Sequence, residues 1–306
     1  MNTKDKIKTA FQKPSTAFYI VICKLFGRWM SDKLYLSILY RMSFRRKLDW
    51  EHPKTFSEKL QWLKLYNRKP EYTTMVDKAA VKNYVASVIG KEYIIPTLGI
   101  WDKPEEIEWD ALPQRFVLKC THDSHSAIIV KDKETINRAE AGKQLGEFLK
   151  CDYFENSREW PYKNVPHRII AEEFIEPESD NKDLNDFKFY TFNGEPKLLY
   201  ITSNRGSING LNEDFFDVEG NHVDIRQFGY ENAPVTPSLP KNFDKMVNMA
   251  RMLAQNTYHV RVDFYEIGDK VYFGELTFFD GGGFCPFNKP EYDQLLGDWI
   301  KLPTDK

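Results

Sequence analysis

Residues 260–277 read VRVDFYEIGDKVYFGELT, and this stretch decides the fold. Two runs rich in β-branched and aromatic residues flank Gly268-Asp269, a pattern that is typical of a β-hairpin. Because alternate residues of a strand lie on the same face of a sheet, Arg261 and Asp263 are predicted to point the same way. The second strand of the hairpin is predicted to place further polar side chains on that face.

The predicted face combines two carboxylates, a guanidinium and a hydroxyl group, from Asp263, Glu275, Arg261 and Thr277. Hard oxygen ligands beside a cation are typical of a site for magnesium bound to phosphates. The alternative is an exposed strand face with salt bridges. The apolar residues that flank the polar ones indicate a buried sheet instead, and buried carboxylates need a partner.

Working outward from this hairpin, the sequence predicts more antiparallel strands. Residues 115–120 and 127–130 flank a polar loop, and residues 187–191 and 197–202 flank Asn193-Gly194, a strong turn signal. Residues 168–175 form a further predicted strand. This order predicts an α+β fold with mostly antiparallel sheets, rather than repeated βαβ units.

Helices are predicted to flank these strands. Thr55 and Glu58 form a capping box, and the helix that they open is expected to turn Leu60, Leu63 and Tyr66 toward the core. Further helices are predicted over residues 74–89, 137–150 and 242–255.

Lys119 ends an apolar strand, where its ammonium group needs an anion such as phosphate; the alternative is a lysine in solvent. The polar loop 121–126 follows directly, with backbone N–H groups that can cover a phosphate. Its His122 and His125 invite a catalytic interpretation, but loop histidines that touch phosphate or solvent are the preferred one. Residues 169–175 (IIAEEFI) carry Glu172 and Glu173 between apolar neighbours, which is compatible with an adenine-binding edge but not specific for it.

Composition and charge exclude several classes of protein. The net charge of −2 over 306 residues argues against a nucleic-acid partner, and neither phosphate-binding glycine motif, G-x-x-x-x-G-K or G-x-G-x-x-G, occurs. The four cysteines form no C-x-x-C pair, which favours a reduced, cytoplasmic protein. No apolar run reaches the ~18 residues that a membrane span needs.

Residues 1–50 carry 11 Lys and Arg against 3 Asp, a local charge of +8. Basic and apolar residues alternate there, which is typical of a helix that lies on an anionic membrane surface. The alternative is a helical arm packed on the body of the protein.

Taken together, these motifs resemble the TupA-like ATP-grasp family. The matching stretches are residues 53–59 (PKTFSEK), 76–78 (VDK), 116–124, 158–163 (REWPYK), 186–189 (DFKF), 261–263 (RVD), 274–277 (GELT) and 297–299 (GDW). The resemblance runs from about residue 50 to 302. It implies an ATP-grasp fold preceded by a helical N-terminal arm.

The charge pattern of residues 1–50 and the family resemblance together predict three segments. Residues 1–50 would be the basic amphipathic arm, residues 51–112 a helical region that precedes the ATP-grasp domain, and residues 113–302 the ATP-grasp domain itself. Within that domain, residues 113–170 would form a lid-like part, and residues 171–302 would form the core that binds metal and nucleotide.

Residue roles carry over from the family motifs. Arg261 and Lys119 would be catalytic, through charge stabilisation of the phosphoryl group. ATP would be bound by Lys78, Lys119, Glu172, Glu173, Phe174, Ile175, Asp186 and Lys188. Mg²⁺ would be bound by Asp263, Glu275 and Thr277. Thr277 stands where superfamily members often have Asn, and His125 and Ser126 stand where glycines are expected, so the loop approaches phosphate less freely.

The implied activity is an ATP-dependent carboxylate–amine ligase, which forms an acylphosphate and then an amide in cell-surface polysaccharide or glycopeptide biosynthesis. Its substrates would be a carboxylate-bearing sugar or amino acid and an amine. One alternative is a glycosyltransferase of capsule or exopolysaccharide synthesis, although no Asp-x-Asp motif occurs. The other is a nucleotide-binding module without catalysis. The Gly281-Gly282-Gly283 run either admits a substrate to the backbone or forms a simple turn.

Overall fold

The computed structural model describes residues 26–124, 126–176, 185–204 and 210–303. These ranges hold eight α-helices: α1 (Asp32–Phe44), α2 (Phe56–Tyr66), α3 (Glu71–Val76), α4 (Val81–Val88), α5 (Arg138–Leu149), α6 (Tyr153–Ser157), α7 (Phe243–Leu253) and α8 (Pro290–Trp299). They also hold ten strands: β1 (Thr97–Trp101), β2 (Phe116–Cys120), β3 (Ile128–Val130), β4 (Ile169–Glu173), β5 (Asp186–Phe192), β6 (Glu195–Ser203), β7 (Asn212–Asp217), β8 (His222–Val223), β9 (His259–Ile267) and β10 (Lys270–Thr277). Short 3-10 turns span Gly27–Trp29, Lys91–Tyr93, Pro104–Glu106, Trp109–Ala111, Trp160–Asn164 and Asp280–Gly283.

The strands form two antiparallel sheets. The small sheet has four strands in the order β1-β4-β2-β3, and the large sheet has six in the order β10-β9-β5-β6-β7-β8. Every pair of these strands is antiparallel. The α+β class and the mostly antiparallel sheets predicted from the sequence are therefore confirmed.

The three predicted hairpins are present as β2–β3, β5–β6 and β9–β10. Asn193 and Gly194, which join β5 to β6, have φ angles of 49° and 87°. Two consecutive positive φ angles fit the right-handed twist of the strands, and Asn-Gly adopts them at little cost. Local turn chemistry therefore fixes the register of the strands that carry the polar face.

The capping box at the start of α2 is confirmed. The Thr55 hydroxyl accepts from the Glu58 N–H at 3.4 Å, and a Glu58 carboxylate oxygen accepts from the Thr55 N–H at 3.1 Å. Leu60 and Leu63 are buried as predicted, whereas Tyr66 is 53% exposed. The prediction for Tyr66 is wrong because α2 ends there, and its ring lies against that of Trp62 at the edge of the core.

The single helix predicted over residues 74–89 is wrong, because the structure has α3 and α4 with a break between them. Asp77 has an extended ψ of 114°. Its carboxylate accepts from the N–H groups of Ala79 and Ala80, at 2.8 and 3.2 Å. An aspartate that bonds to nearby backbone offers the chain an alternative to a continuous helix. The break brings the N–H of Lys78 to the carbonyl of Thr121 at 3.1 Å.

Two hydrophobic cores correspond to the two sheets. The larger core joins the six-stranded sheet to α2, α3, α7 and α8, and the smaller core joins the four-stranded sheet to α5. The small sheet takes β1 from residues 97–101 and β4 from residues 169–173. It therefore crosses the boundaries predicted at 112/113 and 170/171, and the division into domains stays a prediction.

The described part of the N-terminal arm packs on the body. In α1, Tyr35, Leu36 and Tyr40 are buried, and a guanidinium nitrogen of Arg158 donates to the carbonyl of Gly27 at 2.6 Å. Residues 1–25 of the predicted arm lie outside the described residues. In the described ranges, no helix has both the length and the apolar character required to cross a membrane.

Candidate active site

A cavity of about 420 Å³ lies between the small sheet and the large sheet. Its walls include most of the residues singled out in the sequence: Lys78, Lys119, Glu172, Asp186, Lys188, Arg261, Asp263, Glu275 and Thr277. They come from five strands and the break before α4, so only the folded chain brings them together. The cavity is the candidate active site.

The floor of the cavity is one face of the large sheet. Asp263 lies opposite Lys188 on β5 and opposite Glu275 on β10, and Arg261 lies opposite Thr277. The pairing of β10 with β9 shifts between Phe273 and Glu275, and this shift places Glu275 opposite Asp263. The face predicted from the alternation in residues 260–277 is therefore confirmed.

Arg261 is the centre of this face. Its Nε and Nη2 donate to the two carboxylate oxygens of Asp263, each at 2.7 Å. Nη2 also donates to Glu275 at 2.7 Å, and Nη1 donates to the hydroxyl of Tyr200 at 3.1 Å and to Asp280. Arg261 is 6% exposed. A buried guanidinium with three carboxylate partners is fixed in orientation, as a group that stabilises developing charge must be.

The carboxylate of Glu275 is held in its ionised form. Desolvation raises the pKa of Glu275, but Arg261, Lys188 and Lys78 outweigh that effect and lower the pKa to about 2. The Thr277 hydroxyl lies 3.3 Å from the same carboxylate and donates to it. Lys188 donates to Asp263 at 2.5 Å. At neutral pH this face therefore presents two carboxylates as hard oxygen ligands, both paired with cations of the protein.

The opposite wall carries lysines around one carboxylate. The Lys119 ammonium donates to Glu172 at 2.7 Å, and that of Lys82 lies 2.6 Å from the other oxygen of Glu172. Burial raises the pKa of Glu172, but the two lysines outweigh burial and lower it. Lys119 was predicted to need an anion, and Glu172 supplies one. Glu172 thus contacts lysines, where the family motif implied a contact with adenine or ribose.

One further lysine, Lys78, completes this wall. The Lys78 ammonium donates to the carbonyl of Asp123, and burial lowers the pKa of Lys78. Burial likewise lowers the pKa of Lys82, which also donates to the carbonyl of Ile95 at 2.7 Å. Sequence reasoning missed Lys82, although it lies four residues after Lys78. Lys82 and Lys119 thus share the carboxylate of Glu172, whereas the carboxylates that act on Lys78 are those of Glu275 and Asp123.

The other residues that were predicted to bind ATP differ in whether they line the cavity. Asp186 lines the cavity and accepts from the hydroxyl of Thr202 at 2.8 Å. Glu173, Phe174 and Ile175 are not among the described residues that line it, and Glu173 is exposed. The structure therefore does not bring these three side chains to the site, and their role in adenine binding stays a prediction.

The loop between β2 and β3 differs from its predicted role. The ring of His122 is buried and stacks on that of His167 at 3.6 Å, and its Nε2 lies 3.0 Å from the carbonyl of Cys151. Burial, with His167, lowers the pKa of His122 to about 4. The expectation that His122 touches phosphate or solvent is wrong. Ser126 lines the cavity, whereas His125 lies outside the described residues.

The glycine run after β10 forms a tight turn against α2. Gly281, Gly282 and Gly283 all have positive φ angles, between 54° and 67°. The buried ammonium of Lys64 donates to the carbonyls of Gly282 and Ser157, at 2.6 and 2.8 Å. Gly281 also lines the cavity. Both interpretations of this run therefore fit the structure, since a turn held by Lys64 presents backbone to the site.

Comparisons with other proteins are consistent with this arrangement. The profile of the family described as TupA-like ATPgrasp matches residues 58–301. Among curated proteins, none matches the chain. The family profile therefore carries the assignment.

Several solved structures are similar at low identity. They include D-alanine–D-alanine ligase from Bacillus anthracis complexed with ATP (16% identity, 67% of this chain and 53% of that chain, TM-score 0.38). D-alanine–D-alanine ligase from Helicobacter pylori is 12% identical (80% and 69% covered, TM-score 0.41). The ATP-grasp ligase PsnB complexed with a phosphomimetic variant of its minimal precursor, Mg and ADP is 11% identical (80% and 65% covered, TM-score 0.42). The chain spans about half the length of the first of these.

Proposed function

The chain belongs to the TupA-like ATP-grasp family, and from that premise we propose that it is an ATP-dependent carboxylate–amine ligase. One observation carries the proposal. The guanidinium of Arg261 and the carboxylates of Asp263 and Glu275 share one face of the cavity, and the ammonium groups of Lys78 and Lys119 lie on the opposite wall. A phosphate chain between two such walls would meet ammonium groups on one side and, on the other, the guanidinium together with carboxylates that suit a bridging metal ion.

The proposed reaction has two steps. A carboxylate oxygen of the first substrate attacks the γ-phosphorus of ATP, the bond from that phosphorus to the bridging oxygen breaks, and ADP leaves. An amine nitrogen then attacks the acyl carbon of the acylphosphate, the bond from that carbon to the phosphate oxygen breaks, and inorganic phosphate leaves. Phosphoryl transfer depends mainly on positioning and charge stabilisation. Arg261, Lys78 and Lys119 are the residues that we assign to those tasks.

The residues of the site fit magnesium. Asp263 and Glu275 would hold the ion, with the hydroxyl of Thr277 next to Glu275. In the described ranges, no group of three or more His, Cys, Asp or Glu stands together as a metal cage. Magnesium suits such a sparse set, because it keeps several waters and phosphate oxygens and takes one or two carboxylates from the protein. When bound, it would supply charge neutralisation of the phosphates.

The substrate class and setting are extensions of this proposal. We infer a carboxylate-bearing sugar or amino acid as the first substrate and an amine as the second, in cell-surface polysaccharide or glycopeptide biosynthesis. The family resemblance supports this, as does the +8 charge of residues 1–50. We further propose a cytoplasmic protein whose arm contacts the anionic inner face of the plasma membrane.

Calorimetric titration tests the nucleotide part of the proposal. The full chain is titrated with the ATP analogue AMPPNP in the presence of Mg²⁺, and separately with a panel of UDP- and GDP-sugars. Binding of AMPPNP that weakens when EDTA removes the metal is the expected result. Binding of a nucleotide-sugar without AMPPNP would contradict the ligase and support the glycosyltransferase alternative.

A second measurement separates catalysis from binding. Hydroxylamine traps acylphosphates as hydroxamates, so candidate carboxylates are incubated with the chain, ATP, Mg²⁺ and hydroxylamine. Hydroxamate that depends on ATP and on one class of carboxylate identifies the first substrate. Tight AMPPNP binding without hydroxamate from any sugar acid or amino acid would favour the module without catalysis.

A further inference from the structure

Glu213 is a buried carboxyl group that the proposed reaction does not use so far. It lies on β7, where it pairs with Thr202 on β6, and Thr202 pairs in turn with Asp186 on β5. This row of residues lies next to the row that contains Lys188 and Asp263. Glu213 lines the same cavity as Arg261. Its side chain therefore shares the face of the large sheet on which the reaction is proposed to occur.

Among the residues that the structure describes, one oxygen of this carboxyl group has no hydrogen-bond partner. Glu213 is 4% exposed, and within the described residues its Oε2 makes no hydrogen bond. Its backbone position is fixed, since its N–H donates to the carbonyl of Glu231 at 3.1 Å and its carbonyl accepts from Asn232 at 3.1 Å. A buried carboxyl group without a partner is costly. A fold that holds one at the wall of a reaction cavity leaves that oxygen for a ligand.

Unlike the carboxyl group of Glu213, that of the neighbouring Asp280 has several hydrogen-bond partners. Its carboxylate accepts from Tyr190, Tyr200, Gln227 and Arg261. Asp280 is therefore satisfied by the protein itself, and it adds negative potential next to Glu213.

The surroundings of Glu213 favour a cation over an anion. Tyr200 and Tyr230 line the cavity on this side. The ring of Tyr200 already stacks on that of Phe215 and lies under the guanidinium of Arg261, so Tyr230 is the aromatic neighbour considered for a bound cation. Aromatic faces beside carboxyl groups attract organic cations.

From this geometry we propose that Glu213 binds the ammonium group of the amine co-substrate. The inference rests on the proposed ligase function and names the subsite that receives its second substrate. Primary amines are ammonium ions at neutral pH, since a lysine side chain has a pKa of about 10.4. An ammonium group carries three donors and seeks a carboxylate acceptor. In the described part of the chain, Glu213 offers such an acceptor, since its Oε2 is buried without a hydrogen bond.

The protonation state of Glu213 is consistent with a site that binds a cation. Burial and the carboxylate of Asp280 raise the pKa of Glu213 to about 8, against the opposing effects of Arg261 and Lys188. The titratable neighbours Tyr230 and Cys285 have raised pKa values, mainly through burial. Without ligand, the carboxyl group is therefore mostly protonated at neutral pH. An arriving ammonium group favours the ionised form, so binding is expected to release one proton to solvent.

The same carboxylate can assist the second step of the reaction. One N–H bond of the bound ammonium breaks, and the proton forms an O–H bond with Glu213. The freed lone pair then forms the C–N bond while the acyl carbon loses phosphate, as described above. The carboxyl group returns to the neutral form that its buried surroundings favour. A positioned carboxylate with a pKa near the working pH suits this transfer.

Carboxyl ¹³C NMR tests the ammonium site directly. The full chain is labelled at the glutamate side-chain carboxyl carbon, and the Glu213 signal is the one missing from Glu213→Gln. Glu219→Gln, at an exposed turn residue of the same region, is the matched control. If Glu213→Gln does not fold, Glu213→Asp supplies the assignment instead. Propylammonium is the probe, and propanol is its neutral analogue of the same size.

The expected result is a shift of the Glu213 signal to its ionised position when propylammonium is added at neutral pH, and no shift with propanol. Glu213→Gln should bind propylammonium about tenfold more weakly or worse, because it removes a charge-assisted acceptor. The inference is overturned if the chemical shift of the Glu213 carboxyl carbon does not change with propylammonium, or changes equally with propanol. So does equal affinity in Glu213→Gln, which would mean that a neutral side chain suffices.

Titrations with and without Mg²⁺ and AMPPNP separate the two proposals. Nucleotide binding without a response to propylammonium overturns the ammonium site and leaves the ligase proposal intact. A response to propylammonium without nucleotide binding supports the ammonium site and contradicts the ligase.

Discussion

Arg261 holds both carboxylate oxygens of Asp263 with parallel hydrogen bonds of 2.7 Å from Nε and Nη2. The two residues are neighbours on one face of β9, and this fork fixes the plane of the guanidinium. Lys188 shares one of the same oxygens. The candidate metal ligand is thus already paired with two cations, so a bound magnesium ion and its phosphates must replace part of this pairing.

Arg261→Lys is expected to destabilise the fold and to abolish ATP turnover. Lysine lacks the planar set of N–H donors of a guanidinium, so it cannot bond to Asp263, Glu275 and Asp280 together. Leaving buried charges unpaired costs about 3–5 kcal/mol, which urea unfolding measures. Arg251→Lys, whose exposed guanidinium pairs with Glu195, is the control and should change the unfolding free energy by less than about 1 kcal/mol. Equal stability of both variants would contradict the central role of Arg261.

Glu275→Gln should leave the fold intact while weakening nucleotide binding that depends on magnesium. The amide keeps the shape of the side chain but removes a negative ligand. Calorimetric titration with AMPPNP at several Mg²⁺ concentrations measures the effect, which should appear as a higher Mg²⁺ requirement. Glu291→Gln, at an exposed position on α8, is the control. An unchanged Mg²⁺ requirement would remove Glu275 from the metal site.

Glu172→Gln should destabilise the protein in a way that depends on pH. Its pKa is lowered in the folded state, so its stabilising contribution is present above the unfolded value of about 4.3 and is lost as pH falls through the folded value. The difference in unfolding free energy between the parent chain and the variant should therefore be large at pH ~7 and shrink toward pH ~3. Urea unfolding at both pH values measures it. The exposed neighbour Glu173 provides the control, Glu173→Gln, which should show no such trend.

Lys64→Met should loosen the glycine turn beside the cavity. The methionine fills similar space but cannot donate to the carbonyls of Gly282 and Ser157. Hydrogen exchange of residues 280–284 is expected to accelerate, while AMPPNP binding on the opposite wall stays unchanged. Lys69→Met, which removes an exposed hydrogen bond to the carbonyl of Asn256, is the control. Unchanged exchange in Lys64→Met would show that the positive φ glycines hold the turn without the lysine.

Reversing two charges of the arm should weaken vesicle binding. Lys33 and Arg41 are exposed on α1, whose other face is packed on the body, so Lys33→Glu with Arg41→Glu should fold normally. Each basic residue near an anionic membrane contributes about 1 kcal/mol, so sedimentation with phosphatidylserine vesicles should fall strongly. Lys131→Glu with Lys143→Glu, at exposed positions away from the arm, is the control. Equal sedimentation of both pairs would contradict membrane contact through α1.

Features that depend on neighbouring residues could be predicted from the amino-acid sequence. Strand alternation placed Arg261 and Asp263 on one face, and the turns at Asn193-Gly194 and Gly268-Asp269 set the pairing of their strands. The capping box at Thr55 marked the start of α2 in the same way. These features follow from backbone geometry within a few residues, so the identities of neighbouring residues are enough to predict them.

The pairing of charged groups could not be predicted from the sequence, because it depends on contacts between distant segments. Glu172 lies 53 residues from Lys119 yet accepts its hydrogen bond, and Asp280 is buried with Tyr190, 90 residues away. Tertiary contacts likewise define the roles of Lys82, Lys64 and Glu213. Asp77 interrupts a helix that helix propensity alone predicts to be continuous. A charged group in a folded protein responds to whatever lies within a few ångströms and to how much water is excluded there, and both depend on packing that joins distant segments.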